Sequence, residues 1–372
     1  MHWDNQAPVR RSSGFGLIEL MIAITLGLLV TGSVLTLYLN ISQSNEEMAK
    51  ANEQIENGRF AMQVLQDDVG HAGFWDGYIP EFDDLTFVDE PTDLPMLFPD
   101  PCEAFASWDL AYKQQIVGMP VQLLSSVPSS CTSVIEDQLA GTDILVVRHA
   151  DTCVAGATNC DAFQEGRAYF QVSNCEGEGG FEISDSAVDL TLHKRNCTAV
   201  ADRRRLISNI YYIRDYANAP GDGIPTLMRS QLDLSGGSLA QQAAEPLVEG
   251  VQGFKVEFQV DSRSDTGAAV DYLAAIDWQD DERKDSPTNR GDGAADQTCP
   301  SASACTVEQS VNTVAVRVSL LVRSLKPSAG YSSDKTYRLA GSTLGPYTDN
   351  FKRHAYAMTV RLNNVSGRRE TP

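Results

Sequence analysis

The sequence is short of positive charge: 29 Lys and Arg stand against 50 Asp and Glu, a formal net charge of −21 over 372 residues. A surface that acidic argues against nucleic acid or anionic lipid as a partner over most of its area, because binding phosphate needs clustered cations. The run Arg203-Arg204-Arg205 is a local exception, and three adjacent cations read first as a solvated strand end or turn. Histidine is scarce as well. His2, His71, His149, His193 and His354 are scattered, and none sits in a His-Glu-x-x-His pattern. Gly-x-Ser-x-Gly is missing, as is a phosphate-binding glycine loop followed by Lys-Ser or Lys-Thr. The cysteines form no Cys-x-x-Cys and have no histidine beside them, which weakens a zinc reading. No catalytic residue, cofactor or metal ligand is assigned, and an enzyme is not expected.

Cysteine is missing from the N-terminal part of the chain. All eight, Cys102, Cys131, Cys153, Cys160, Cys175, Cys197, Cys299 and Cys305, follow the apolar segment described below. An even number confined to one part of the chain predicts disulfides and an oxidising compartment for that part. Eight cysteines allow 105 connectivities. Pairing in sequence order is the expectation, each bond clipping a local loop.

Long hydrophobic runs are also few, and one dominates. Arg10-Arg11-Ser12-Ser13-Gly14-Phe15-Gly16-Leu17-Ile18-Glu19 leads into an uncharged stretch from Leu20 to Leu39. That length spans a bilayer core as a helix, and the Leu/Ile/Val-rich composition with small residues suits one. The arginines before it favour a cytoplasmic N-terminus. A secretory signal peptide has a shorter apolar core with a small-residue cleavage site after it, so this run is too long. Glu19 is the anomaly, since a carboxylate at the edge of a membrane segment is costly without a cationic partner. An ordinary single-pass anchor explains the hydrophobicity but neither Gly14-Phe15 nor Glu19.

These residues resemble the class III leader of type IV prepilins. The resemblance implies cleavage after Gly14 by a prepilin peptidase and methylation of the new amine on Phe15. It also implies pairing of Glu19 with the N-terminal amine of a neighbouring subunit, which supplies the missing cation. Such a pair is strongly attractive in a low dielectric, where a lone carboxylate is expelled. Gly16 departs from the Thr or Ser usual in that family, and a leader of 14 residues is long for it. Gly58-Arg59-Phe60-Ala61-Met62 and Leu65 through Trp75 are similar to the helix end of the PilW-type minor pilins. Three later stretches fit the same family: Gly223 to Arg229, Leu247 to Phe254 and Val314 to Arg323.

Residues 1–14 therefore read as a leader, 15–70 as one long helix with 15–41 transmembrane, and 71–372 as a β-rich periplasmic or extracellular head. After Leu39 the helix turns amphipathic: Met48, Ala51, Ile55, Gly58, Met62, Leu65 and Val69 recur at alternating steps of three and four, with Gln54 among the polar residues opposite. Gly70 and Gly73 supply stop signals. At ~1.5 Å per residue the helix is roughly 80 Å long.

Residues 76–142 read as a long irregular connection with short helices near Ala104–Tyr112. Strands are expected at Asp143–His149, Arg167–Ser173, Leu206–Tyr216, Phe254–Val260, Val314–Arg323, Lys335–Leu339 and His354–Leu362. The fold class is α+β, pilin-like, with a mostly antiparallel sheet, since no helices intervene for parallel crossovers. One face of the sheet should pack on the helix, and the other should meet water or a neighbour. Asp261–Gln309 is a second irregular stretch, whose acidic part, 277–296, is a conceivable calcium loop without EF-hand spacing. Arg290-Gly291-Asp292 in it reads as chance. Arg323 and Arg361, ending strand-like runs, suggest salt bridges at a sheet edge.

The expected function is that of a minor pilin, priming or capping a type IV pilus. The expected partners are other minor pilins and the major pilin, the prepilin peptidase, the inner-membrane assembly platform and the membrane. The alternatives are a minor pseudopilin of type II secretion, a pilus-tip adhesin using the irregular stretches, and, most weakly, a membrane-anchored enzyme.

Overall fold

The computed structural model describes residues 14, 16–300 and 304–370. Helix α1 spans Leu17–His71, α2 Leu110–Gly118, α3 Val307–Val311 and α4 Asn363–Arg369. The strands are β1 (Val121–Leu124), β2 (Ile144–Val154), β3 (Tyr169–Val172), β4 (Phe181–Ser184), β5 (Arg203–Arg214), β6 (Thr226–Ser235), β7 (Ser238–Gln241) and β8 (Glu245–Glu249). They continue with β9 (Val251–Val260), β10 (Trp278–Asp280), β11 (Asp285–Pro287), β12 (Gln297–Pro300), β13 (Thr313–Arg323), β14 (Tyr337–Leu339), β15 (Ser342–Leu344) and β16 (Arg353–Arg361). The chain divides into two compact units, Met1–Asn52 and Glu53–Pro372.

In the first unit α1 exposes its large apolar side chains, Leu17 and Ile18 by about three quarters of their surface. Thr25, Thr31, Ser33 and Thr36 return their hydroxyls to the carbonyls four residues earlier. A helix that satisfies its own hydroxyls carries little polar cost into an apolar medium.

In the second unit the strands form an eight-stranded and a four-stranded sheet plus two small hairpins, and every ladder among the described residues is antiparallel. The four-stranded sheet runs β12-β9-β13-β16. Ala61, Leu65 and Val69 of α1 bury against Phe254, Val256 and Phe258 of β9 and Val316, Val318, Leu320 and Val322 of β13, joined by Leu145 and Val147 of β2. At ~25 cal/mol per Å² of apolar surface, this two-sheet seam is the main stabilising contact of the head.

The buried face of α1 is rotated from the sequence expectation. Gln54 and Ala61 are buried, while Met48 and Ile55 are exposed and Met62 is half-buried. Gln54 is tolerated inside because its side-chain amide donates to the carbonyls of Val322 and Lys352. A satisfied polar group there overrides the hydropathy pattern.

The second face of the larger sheet does not meet water. Ile144 and Val146 of β2, alternating with Leu145 and Val147, pack with Tyr212, Met228, Cys131, Val134 and Ile135. The connection over 76–142 thus covers that face, and β2 reads as a continuous apolar run because both of its faces are buried. This connection also carries β1 and the whole of α2, capped at its start by the Asp109 side chain, so it is less irregular than its composition implied. The stretch 261–309 likewise holds β10, β11, β12 and α3. The eight cysteines bond in sequence order: Cys102–Cys131, Cys153–Cys160, Cys175–Cys197 and Cys299–Cys305.

Candidate functional site

Two regions of α1 carry the functional question. At its start, Glu19 lies in the first turn, and the Gly16 N–H donates to Glu19 Oε2 at 3.3 Å. The carboxylate therefore caps its own helix end, where the unpaired amides and the dipole favour an anion. It is exposed and meets no cation among the described residues. Gly14 is described and exposed, while Phe15 lies outside the described residues, as does nearly all of the leader.

At the other end, α1 is keyed into the head by polar contacts that hydropathy does not reveal. His149 Nε2 lies 3.0 Å from Asp68 Oδ1, and His149 Nδ1 lies 2.8 Å from the Ala150 carbonyl. Both ring nitrogens thus face acceptors, which the doubly protonated ring satisfies. Burial opposes that charge, but the Asp68 carboxylate outweighs burial and raises the His149 pKa. Asn209 donates its side-chain amide to both Asp68 oxygens. Gly58 lies close against β16, where a Cβ would lie 2.4 Å from the Tyr356 ring. Gly250, between β8 and β9, has φ +83°, and a Cβ there would meet the Arg323 carbonyl at 2.8 Å.

The C-terminal helix is fixed by a buried ion cluster. Arg368 and Arg369 both reach Asp83, at 2.6 and 2.9 Å, and Arg369 approaches Asp261 at 3.6 Å. Burial pushes the Asp83 carboxyl up, but the two guanidinium groups more than offset it and hold the pKa low.

The remaining sequence candidates resolve as follows. Arg204 pairs with Asp76 and Arg205 with Asp233, while Arg203 donates to the carbonyls of Ala187 and Leu190, so the basic run is spent within the fold. Arg361 pairs with Glu370, whereas Arg323 donates to the Gly223 carbonyl and stacks on Phe351 rather than bridging to a carboxylate. Arg290 is buried on Tyr272 and donates to the carbonyls of Asp271 and Ala274. In 277–296 the carboxylates bond nearby amides and hydroxyls, and no three acidic, histidine or cysteine side chains converge on a metal position among the described residues.

An exposed apolar N-terminal helix continued into an antiparallel head defines the type IV pilin class. A sequence model of the prokaryotic N-terminal methylation motif matches residues 9–35, and one of the type IV pilus-assembly protein W family matches residues 210–364. Together these two matches and the fold support a PilW-type minor-pilin role in type IV pilus assembly. Among solved structures it is similar to a type IV-like pilin from Thermus thermophilus, with 12% identity and a TM-score of 0.26 over 63% of this chain and 82% of the other. No curated protein matches it.

Proposed function

We propose that this minor pilin waits in the inner membrane with its head in the periplasm, and then joins other minor pilins in a complex that primes or caps the fibre. Cleavage after Gly14 removes Arg10 and Arg11 and frees the Phe15 amine for methylation. The 1–14, 15–70 and 71–372 divisions are then leader, assembly helix and partner-selecting head. Glu19 sets the axial register by exchanging its contact with the Gly16 amide for a neighbour's N-terminal amine. The single observation that carries this reading is an exposed carboxylate in the first turn of α1, directly before its exposed, uncharged stretch Leu20–Leu39. An unpaired charge there costs several kcal/mol in lipid, and a neighbour's amine removes that cost. Major pilin, prepilin peptidase and the assembly platform are the partners this sequence of events requires, and the protein has no catalytic part in it.

Mass spectrometry of the membrane-extracted chain should find a methylated Phe15 at the N-terminus. Gly14→Ala should leave the chain at precursor size. Glu19→Ala should be processed normally but enter the pilus fraction poorly. Processing of Gly14→Ala to the mature size would refute the cleavage reading.

A further inference from the structure

Strand β16 has an open edge. It pairs with β13 over nine consecutive residues without a bulge, and no strand lies on its other side among the described residues. Its hydrogen-bond parity is fixed at both ends. The Ser324 N–H donates to the Lys352 carbonyl, and the Leu362 N–H donates to the Val314 carbonyl. Residues 352 and 362 therefore face β13, and alternate residues along an antiparallel strand share a side. Arg353, Ala355, Ala357, Thr359 and Arg361 consequently turn their N–H and C=O groups outward. The Ala355, Ala357 and Thr359 side chains are small and exposed, so nothing bulky stands over this row.

The other edges are managed. Strands β1, β4, β7 and β12 have four residues each. Strand β8 carries Pro246 and has a register shift. Proteins blunt long edges with proline, lysine, bulges or covering loops. Among the described residues strand β16 has none of these, and on its α1 side an open groove of about 570 Å³ lies beside Arg59, Met62, Gln66, Tyr356 and Met358.

We propose that the β16 edge takes an extended strand from the head of a different pilus subunit, adding a fifth strand to the β12-β9-β13-β16 sheet. The occupant must be a strand, because the row of alternating amides and carbonyls at 355, 357 and 359 is complementary to another backbone. Antiparallel self-pairing centred on Ala357 would set the Arg353–Asp349 pair against the Arg361–Glu370 pair of the second copy, which offers no complementary charge to favour it. Within the head the edge adjoins the exposed side of the α1 segment that carries Arg59, Met62 and Gln66. This inference rests on the assembly role of α1.

The test uses the full-length chain in pilus-producing cells. A photo-crosslinking amino acid at Ala357 should give an adduct with another pilus subunit, and one at the remote, exposed Val188 should not. Ala357→Pro removes one outward N–H and no bond to β13. It should leave the unfolding midpoint of the detergent-extracted chain unchanged and lower recovery of the partner subunit about tenfold, the effect of roughly 1.4 kcal/mol. If proline lowers the midpoint, Ala357→Lys replaces it with the same expected loss. No adduct at position 357, an adduct only with a second copy, or wild-type partner recovery by both variants would overturn the proposal. A deletion strain with normal pili would refute the assembly reading instead, whereas a defective deletion fully restored by Ala357→Pro refutes only the edge.

Discussion

Single residues decide how closely α1 approaches the sheets. Gly58 sits in a helix interior, where alanine is preferred by about 1 kcal/mol. The position nevertheless has room only for hydrogen, because the Tyr356 ring fills the space a Cβ needs. Gly58→Ala should therefore destabilise the head by about 1–2 kcal/mol through overpacking. In a Tyr356→Ala background the same change should be neutral or stabilising, since the ring is gone and the helix preference remains. Denaturant unfolding of the four chains in a double-mutant cycle measures this, and additive effects would show that the ring simply moves aside. Glycine in the sequence suggested only an interruption of the apolar seam there, and its partner, nearly 300 residues on, was not legible.

At the scale of elements, what the sequence made legible is what local pattern controls. The end of α1 was readable because Gly70 and Gly73 follow the apolar seam, and the helix stops at His71. Strand β13 was readable from the alternation of Val314 to Arg323. Strand β6 was not read as a strand because Arg229, Gln231 and Asp233 dilute it, and β8 because Pro246 signals a break. Their strand state comes from pairing with β5 and with each other. Of the candidate site, Glu19 and the apolar run were legible, whereas the Asp68–His149–Asn209 contacts join residues 81 and 141 positions apart and leave no local trace. The disulfides differ in the same local-to-distant sense. Cys102–Cys131 spans 29 positions and pins the loop that covers the sheet's second face, while Cys299–Cys305 spans 6. Loop-closure entropy assigns them about 3.6 and about 2.4 kcal/mol. Paired Cys→Ala replacement should accordingly lower stability more at 102/131 than at 299/305, and the first pair should also expose Val134 and Ile135 to an apolar dye.

The whole molecule carries a pH dependence written by groups far apart in the chain. Burial raises Asp93 and Asp261 to about 6, with backbone amides at Asp93 and the Arg369 charge at Asp261 opposing it. Asp261 Oδ1 meets no donor, which suits a protonated carboxyl. His149 is also raised, by Asp68 against burial. In all three the folded state holds protons that the unfolded chain, with carboxyls near 4 and imidazole near 6.5, releases earlier. Their stabilisation is therefore present at lower pH and is lost as pH rises through the folded values. Asp83 has the opposite sign: its pKa is held low by Arg369 and Arg368, so its contribution is present above about pH 4 and is lost on acidification through the folded value. The two trends bracket an optimum near pH 4, and the net charge of −21 adds to the alkaline side, where carboxylate repulsion is greatest. Thermal melts of the full-length chain in detergent should show the midpoint rising as the pH is lowered from 7.5 to about 4 and falling below that. Asp93→Asn should flatten the limb between about pH 4 and 6, and Asp83→Asn should lower the midpoint at every pH above about 4. A midpoint that rises steadily from pH 5 to 8 would show that the buried carboxyls ionise freely in the folded state.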